Sequence, residues 1–125
     1  MPYIQIDLSE NISDQQAQDI SAGAVHIMVS VLHKKPALTS VAINAGRVRD
    51  WSIGGGPAPS TGFIRAHITE GTNSAEEIEE AIGAFHGLLR DTLDHYEPVS
   101  YVVIDEVASG NWGFGGRSQA HRRRT

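Results

Sequence analysis

Trp51-Ser52-Ile53-Gly54-Gly55 returns near the end of the chain as Trp112-Gly113-Phe114-Gly115-Gly116, 61 residues further on. Two other landmarks repeat at almost the same distance. Ser13 and Ser74 each head a long helical stretch, and Pro36 and Pro98 each precede a strand, at offsets of 61 and 62 residues. Self-similarity at one period signals a structural unit used twice. The chain reads as two copies of a strand–helix–strand unit, repeat one over 1–56 and repeat two over 63–125. They join through Gly54 to Gly62, a stretch rich in Gly and Pro with no apolar period, in which 57–62 is the linker.

Each copy has the same local grammar. Residues 2–8 alternate, with Ile4, Ile6 and Leu8 on one face and Tyr3, Gln5 and Asp7 on the other, a strand period. Ser13 then caps a helix, and Gln16 completes a capping box. Ile20, Ala24, Ile27, Val31 and Leu32 form its apolar stripe. Thr39 to Ala45 is the second strand. In the second copy Phe63 to Thr69 is a strand, Ser74 and Glu77 form the capping box, and Ile78, Ile82, Phe85, Leu89 and Leu93 form the stripe. Tyr101 to Ile104 is the last main strand. A crossover through a helix makes the two strands of each unit parallel. Side by side, the units give an α+β fold: a four-stranded mixed sheet with two helices on one face and a pseudo-twofold within the chain. The other face carries Tyr3, Gln5, Asp7, Ala42, Arg65, His67, Tyr101 and Val103. That mixture suits a covering subunit, with an ordinary wetted sheet face as the alternative.

Composition narrows the class. A chain of 125 residues with 40% apolar content is one ordinary domain. With no cysteine it has no disulfide, thiolate metal site or cysteine nucleophile. A formal charge of −5 argues against a nucleic-acid binder. No run is long enough to span a membrane and no signal-peptide pattern is present, so a soluble cytoplasmic protein is expected. Arg122-Arg123-Arg124 is a basic exception, expected to be a solvated, frayed tail.

Pro2 stands directly before the first strand. Methionine aminopeptidases require a small second residue, and proline qualifies. With Met1 removed, the chain begins with a secondary amine. Apolar surroundings disfavour the ammonium form and lower its pKa from about 8 toward neutrality. A general base works best near the working pH. On position alone, Pro2 reads as an unremarkable strand start; the rest of the chain changes that.

An N-terminal proline on a strand, a βαβ unit of about sixty residues and a terminal Ile-Gly-Gly or Phe-Gly-Gly together resemble the tautomerase superfamily, and within it the 4-oxalocrotonate tautomerases. The second copy carries the likeness through Ala66-His67-Ile68-Thr69-Glu70-Gly71 and Ile104 to Gly116. The first carries it through Pro2-Tyr3-Ile4-Gln5-Ile6 and Leu38-Thr39-Ser40-Val41. The chain resembles a fused pair of such subunits. The resemblance implies a homotrimer, a cofactor-independent mechanism, and Pro2 as the base that moves a proton on a small enol or unsaturated 2-oxo acid. Trp112 stands where the family places an aromatic wall, and Trp51 is its partner in the first copy; hairpin packing is the alternative for both. Only Pro2 can be an amine, because the matching position near Gly62 is internal.

The departures concern substrate binding. The family uses an arginine just after its first strand, where this chain has Ile12 and Thr72 or Asn73. It uses another in its second strand, matched here to Ala42 and Tyr101. Arginine pairs a carboxylate bidentately, and neither Tyr nor Thr replaces that charge. Arg47 and Arg49, in the loop before Trp51, are candidates for the missing cation, with a solvated loop as the alternative. Tyr101 is a candidate hydrogen-bond donor to an enolate oxygen. Asp105 and Glu106 lie on no evident motif, so no dehalogenase is expected. The glycine-rich stretches lack the Lys-Ser/Thr of a phosphate loop. The six histidines show no metal spacing, and no metal is expected. The competing class is a catalytically silent trimeric scaffold that kept the fold and lost the arginines.

Overall fold

The computed structural model of the chain describes residues 2–124. In chain order the elements are β1 (Tyr3–Leu8), α1 (Asp14–Ser30), a 3-10 turn (Pro36–Leu38), β2 (Ser40–Ala45), β3 (Ser52–Ile53), β4 (Gly56–Pro57), β5 (Gly62–Thr69), α2 (Ala75–Thr92), β6 (Tyr101–Val107), β7 (Gly113–Phe114), β8 (Arg117–Ser118) and α3 (Gln119–Arg124). The main sheet has the order β2-β1-β5-β6, with the outer pairs parallel and the central pair antiparallel. This is the expected α+β arrangement of two βαβ units.

The helices start where their caps dictate. The Ser13 side chain accepts from the Gln16 backbone while the Gln16 side chain accepts from the Ser13 backbone, and Ser74 and Glu77 repeat this in α2. Each box satisfies two backbone donors that a helix start otherwise leaves open. The two small hairpins, β3–β4 and β7–β8, lie 61 residues apart position by position. Each turns through two glycines at positive φ, Gly54 and Gly55 in one and Gly115 and Gly116 in the other. That is the backbone of a type I′ turn, whose twist suits a two-residue hairpin.

The core lies between the sheet and the two long helices. Ile4, Ile6 and Leu8 from β1 and Ile64, Ala66 and Ile68 from β5 meet Ile20, Ala24, Ile27, Met28 and Leu32 from the first helical segment, and Ala81, Phe85, Leu89 and Leu93 from the second. The alternation of β1 therefore points as expected. One stripe residue does not: Ile82 is 38% exposed, and Ala81 takes its place beneath α2. Ala81 continues the 78-81-85-89 spacing, and Ile82 is one residue, about 100° of helix rotation, further round. Val31 packs against the core only partly buried.

Three further extents differ from the sequence reading. β6 runs on to Val107, because its pairing with β5 continues through Asp105, Glu106 and Val107. The connection between the copies is shorter, since Pro57 belongs to β4 and Gly62 to β5. The basic tail is not a frayed strand of solvent-exposed chain. It forms α3, tied down by Gln119 N–H donating to the Trp112 carbonyl (2.9 Å) and Ala120 N–H to the Ser109 carbonyl (2.8 Å).

The face away from the helices is a polar and aromatic mosaic. Tyr3 stacks on His67 with centroids 5.9 Å apart, and Arg65 lies over Phe63. Arg65 and His67 both approach the Asp105 carboxylate, at 3.4 and 3.6 Å. Gln5 lies directly opposite Arg65, so the pseudo-twofold passes between them.

Candidate active site

The antiparallel centre of the sheet decides what can meet what. β1 starts where β5 ends: Tyr3 lies opposite His67, and Leu8 lies opposite Gly62. β2 runs parallel to β1, so Ser40 sits beside Tyr3. β6 runs parallel to β5, and Val107 sits beside Thr69. The segment after β6 therefore leaves the sheet at the Pro2 end. The segment after β2 leaves it at the Gly62 end, where Gly46 N–H donates to the Leu8 carbonyl at 3.0 Å.

At the Pro2 end lies a cavity of about 440 Å³, lined by Pro2, Tyr3, Ala37, Leu38, Thr39, Ser40, Trp112, Gly113 and Phe114. Pro2 itself is buried. The 3-10 turn supplies Ala37 and Leu38, and the second copy supplies Trp112 and Phe114 through its hairpin. The hairpin can close this tightly because residue 113 is glycine: a Cβ there overlaps the Arg117 carbonyl. The Ser40 backbone N–H donates to the Pro2 carbonyl at 3.2 Å, and the Thr39 hydroxyl donates to the Lys35 carbonyl at 2.8 Å. The Trp112 Nε1 is buried and makes no hydrogen bond among the described residues. The walls are mostly apolar, the setting in which an amine favours its neutral form. Met1, whose removal frees that amine, lies outside the described residues.

Of the six residues singled out in the sequence, the structure brings Pro2 and Trp112 together. It does not bring the other four to them within one chain. Tyr101 starts β6 beside Phe63, at the far end of the sheet, and is 65% exposed. Arg47, Arg49 and Trp51 follow β2 at that same end, with Arg49 beside Asp50 at 3.4 Å. The strand registers also make Tyr101 the counterpart of Ser40, not of Ala42, which lies opposite Gln5. Gly62 occupies the place of Pro2 in the second copy; it is buried, and its N–H donates to the Ser100 hydroxyl at 3.1 Å. Ala37, Leu38, Thr39, Ser40 and Phe114 were not singled out. The signal for the first four was present, since parallel pairing of the two strand starts sets Ser40 beside Tyr3.

Comparison with known proteins places the chain. The Tautomerase family profile, described as tautomerase enzyme, matches residues 63–122. A probable tautomerase of Dickeya dadantii (strain 3937) is 39% identical over 61 residues, which is 49% of this chain and 91% of that protein. The chain belongs to the tautomerase family. Over its whole length it is similar to fused 4-OT structures: a wild-type fused 4-OT that forms an asymmetric trimer superposes with a TM-score of 0.83 at 19% identity, covering 98% of this chain and 99% of that one. Pt0534 inactivated by 2-oxo-3-pentynoate superposes with a TM-score of 0.87 at 16% identity, covering 96% and 98%. The macrophage migration inhibitory factor-like protein of Entamoeba histolytica does so at 0.79 and 18% identity, covering 94% and 97%. The family profile covers the copy that supplies the hairpin wall and begins one residue after Gly62; Pro2 stands in the other copy.

Proposed function

We propose that this tautomerase-family chain is an isomerase that uses the Pro2 amine, freed by removal of Met1, as the general base on a small enol or unsaturated 2-oxo acid, with no cofactor. One observation supports this above the others: Pro2 is buried against a largely apolar cavity of substrate size, walled by Trp112 and Phe114 from the opposite copy. Abstraction of a proton next to a carbonyl needs a neutral base within reach and a donor for the oxygen that gains charge. The neutral amine takes the proton from the substrate and returns it at another atom of the conjugated system. Ser40, a polar residue on the cavity wall, is the candidate donor for that oxygen. A homotrimer cytoplasmic in location completes the reading, in line with the trimeric fused 4-OT neighbours. Tyr101, Arg47, Arg49 and Trp51 enter the substrate-binding set only if a neighbouring subunit presents its Gly62 end to this cavity.

The test compares the native chain with Pro2→Ala in the ketonisation of enolic phenylpyruvate and of 2-hydroxymuconate. The reading requires activity in the first and a loss of about a hundredfold or more in the second, the usual scale of general-base catalysis. Equal rates remove Pro2 from the mechanism and leave the silent scaffold as the better account.

A further inference from the structure

The pseudo-twofold lets one end of the sheet be read against the other. At the Gly62 end, the Gly62 N–H donates to the Ser100 hydroxyl at 3.1 Å, and that hydroxyl donates to the Glu97 carbonyl at 2.8 Å. Gly62 stands in the place of Pro2. The registers make Ser100 the counterpart of Thr39, because each directly precedes the paired residue, Tyr101 beside Phe63 and Ser40 beside Tyr3. At the Pro2 end, Thr39 lines the cavity with Pro2, and its hydroxyl donates to the Lys35 carbonyl at 2.8 Å. We infer that Thr39 is a positioning residue: its hydroxyl accepts a hydrogen bond from the free Pro2 amine and so aims the lone pair that takes the substrate's proton. The inference rests on the reading of Pro2 as a free amine.

The two ends differ in one chemical respect. A proline nitrogen within a chain carries no hydrogen, whereas the glycine carries one and uses it. Removal of Met1 gives the Pro2 nitrogen one N–H when neutral and two when protonated. The Thr39 hydrogen is already given to Lys35, so its oxygen meets an amine as an acceptor. The ring leaves a neutral proline nitrogen two pyramidal forms, which exchange the hydrogen and the lone pair. An acceptor on one side selects between them. The frame around it is fixed: the Ser40 N–H holds the Pro2 carbonyl at 3.2 Å, and the Thr39 N–H holds the Pro36 carbonyl at 3.1 Å. A base already aimed loses less freedom on the way to the transition state.

The same bond bears on when the base is neutral. An acceptor binds an ammonium N–H more strongly than a neutral one, so Thr39 favours the protonated form and opposes the apolar walls. Among the described residues, Tyr3 carries the one ionisable side chain on those walls. His67 stacks on Tyr3 and approaches Asp105. Lys35 leads into the 3-10 turn, Arg117 pairs with Phe114 across the hairpin, and Arg122 lies over the Phe114 ring. A substitution at Thr39 leaves all of these charges in place, so a shift between variants reports the hydroxyl.

Thr39→Val removes the hydroxyl at nearly constant shape, and Thr39→Ser keeps it. Each chain is trimmed with methionine aminopeptidase until its intact mass shows that it begins at Pro2. The isotope-labelled Pro2 amine is then titrated by NMR without substrate. Its pKa should fall by about 0.5–1 unit in Thr39→Val, the difference between a hydrogen bond to a charged group and one to a neutral group, and stay within about 0.3 unit of native in Thr39→Ser. In ketonisation of enolic phenylpyruvate the acidic limb of Thr39→Val should move down with it, and kcat should drop about tenfold with little change in KM. The sign separates this from a loosened wall, which admits water and raises the pKa toward about 8. A pKa in Thr39→Val equal to or above the native one overturns the inference, as does a Thr39→Ser that behaves like Thr39→Val. Thr39→Ala is read in the same way should Thr39→Val fail to fold, as judged by circular dichroism. Failure of the Pro2 reading is separate: it shows as equal turnover by native chain and Pro2→Ala, whatever the pKa of the amine.

Discussion

Replacing Leu38 by Glu puts a carboxylate on the wall of the Pro2 cavity and should move the acidic limb of the pH–rate profile upward. Taken as a sphere, a cavity of about 440 Å³ is about 9 Å across, which sets the scale of the separation between a charge on one wall and an amine on another. At an effective dielectric constant of 20 their attraction is about 1.8 kcal/mol, or about 1.3 pKa units. Screening by salt through the open mouth reduces this to about one unit. The sign follows from which form is favoured. The carboxylate stabilises the protonated amine, so the pKa rises and the base becomes neutral only at higher pH. Leu38→Lys does the reverse. The assay is kcat/KM for enol ketonisation against pH, which reports ionisations of the free enzyme. Leu38→Gln controls for size and polarity. Substrate repulsion changes the height of the profile; the position of its limb carries the information. Limbs that coincide in all three variants, or that move the same way for Glu and Lys, refute a titrating amine in this cavity.

Phe85 is fully buried under α2, and Phe85→Ala should lower the unfolding free energy by about 3–5 kcal/mol in urea denaturation at fixed protein concentration. A loss below about 1 kcal/mol contradicts its central place in the core. Gly113→Ala should cost about 1–3 kcal/mol and reduce kcat/KM with it, because the new Cβ pushes the Arg117 backbone and moves both aromatic walls. Unchanged stability and turnover show that the hairpin need not close as tightly as it does. The Glu77 carboxyl is held below its usual pKa, chiefly by the Ser74 backbone N–H, then by Asn73. Its contribution is therefore present above the unfolded value of about 4.5 and lost as the pH falls through the folded one. Glu77→Gln keeps the capping hydrogen bond, as Gln16 does in α1, so it should lower the melting temperature slightly at pH 7, by an amount that shrinks as the pH falls below about 4.5. A deficit as large at pH 3 as at pH 7 contradicts a charge-based contribution.

Much of the fold could be read from local signals. The capping boxes at Ser13 and Ser74, the alternation through Ile4, Ile6 and Leu8, and the twin Gly-Gly turns are each set within a few residues. Where the reading drifted, the cause was packing: a small Ala81 seats α2 on the core and leaves Ile82 outside. The site was less legible, and the reason is geometric. Trp51 and Trp112 look equivalent in sequence, and each does follow the second strand of its own copy. Because β1 and β5 are antiparallel, each hairpin serves the start of the other copy's first strand. Trp112 therefore meets Pro2, while Trp51, Arg47 and Arg49 go to the end where Gly62 stands in place of a proline. Tyr101 begins its strand at that end too. Arg122 looked like a solvated tail because nothing near it in sequence shows that α3 folds back on the Phe114 hairpin.

The copy that fits the family profile and the copy that holds the proline are different ones. Fusion explains how both can contribute to one cavity. In this chain one copy supplies Pro2 and the other supplies the Trp112 and Phe114 wall.

Treatment of the protein isolated from cells with 2-oxo-3-pentynoate, followed by intact-mass measurement and peptide mapping, tests the central claim most directly. The account predicts a chain lacking Met1 that gains one label, on the Pro2 nitrogen, and no label in Pro2→Ala. An active enzyme that retains Met1, or one labelled equally after Pro2→Ala, contradicts it.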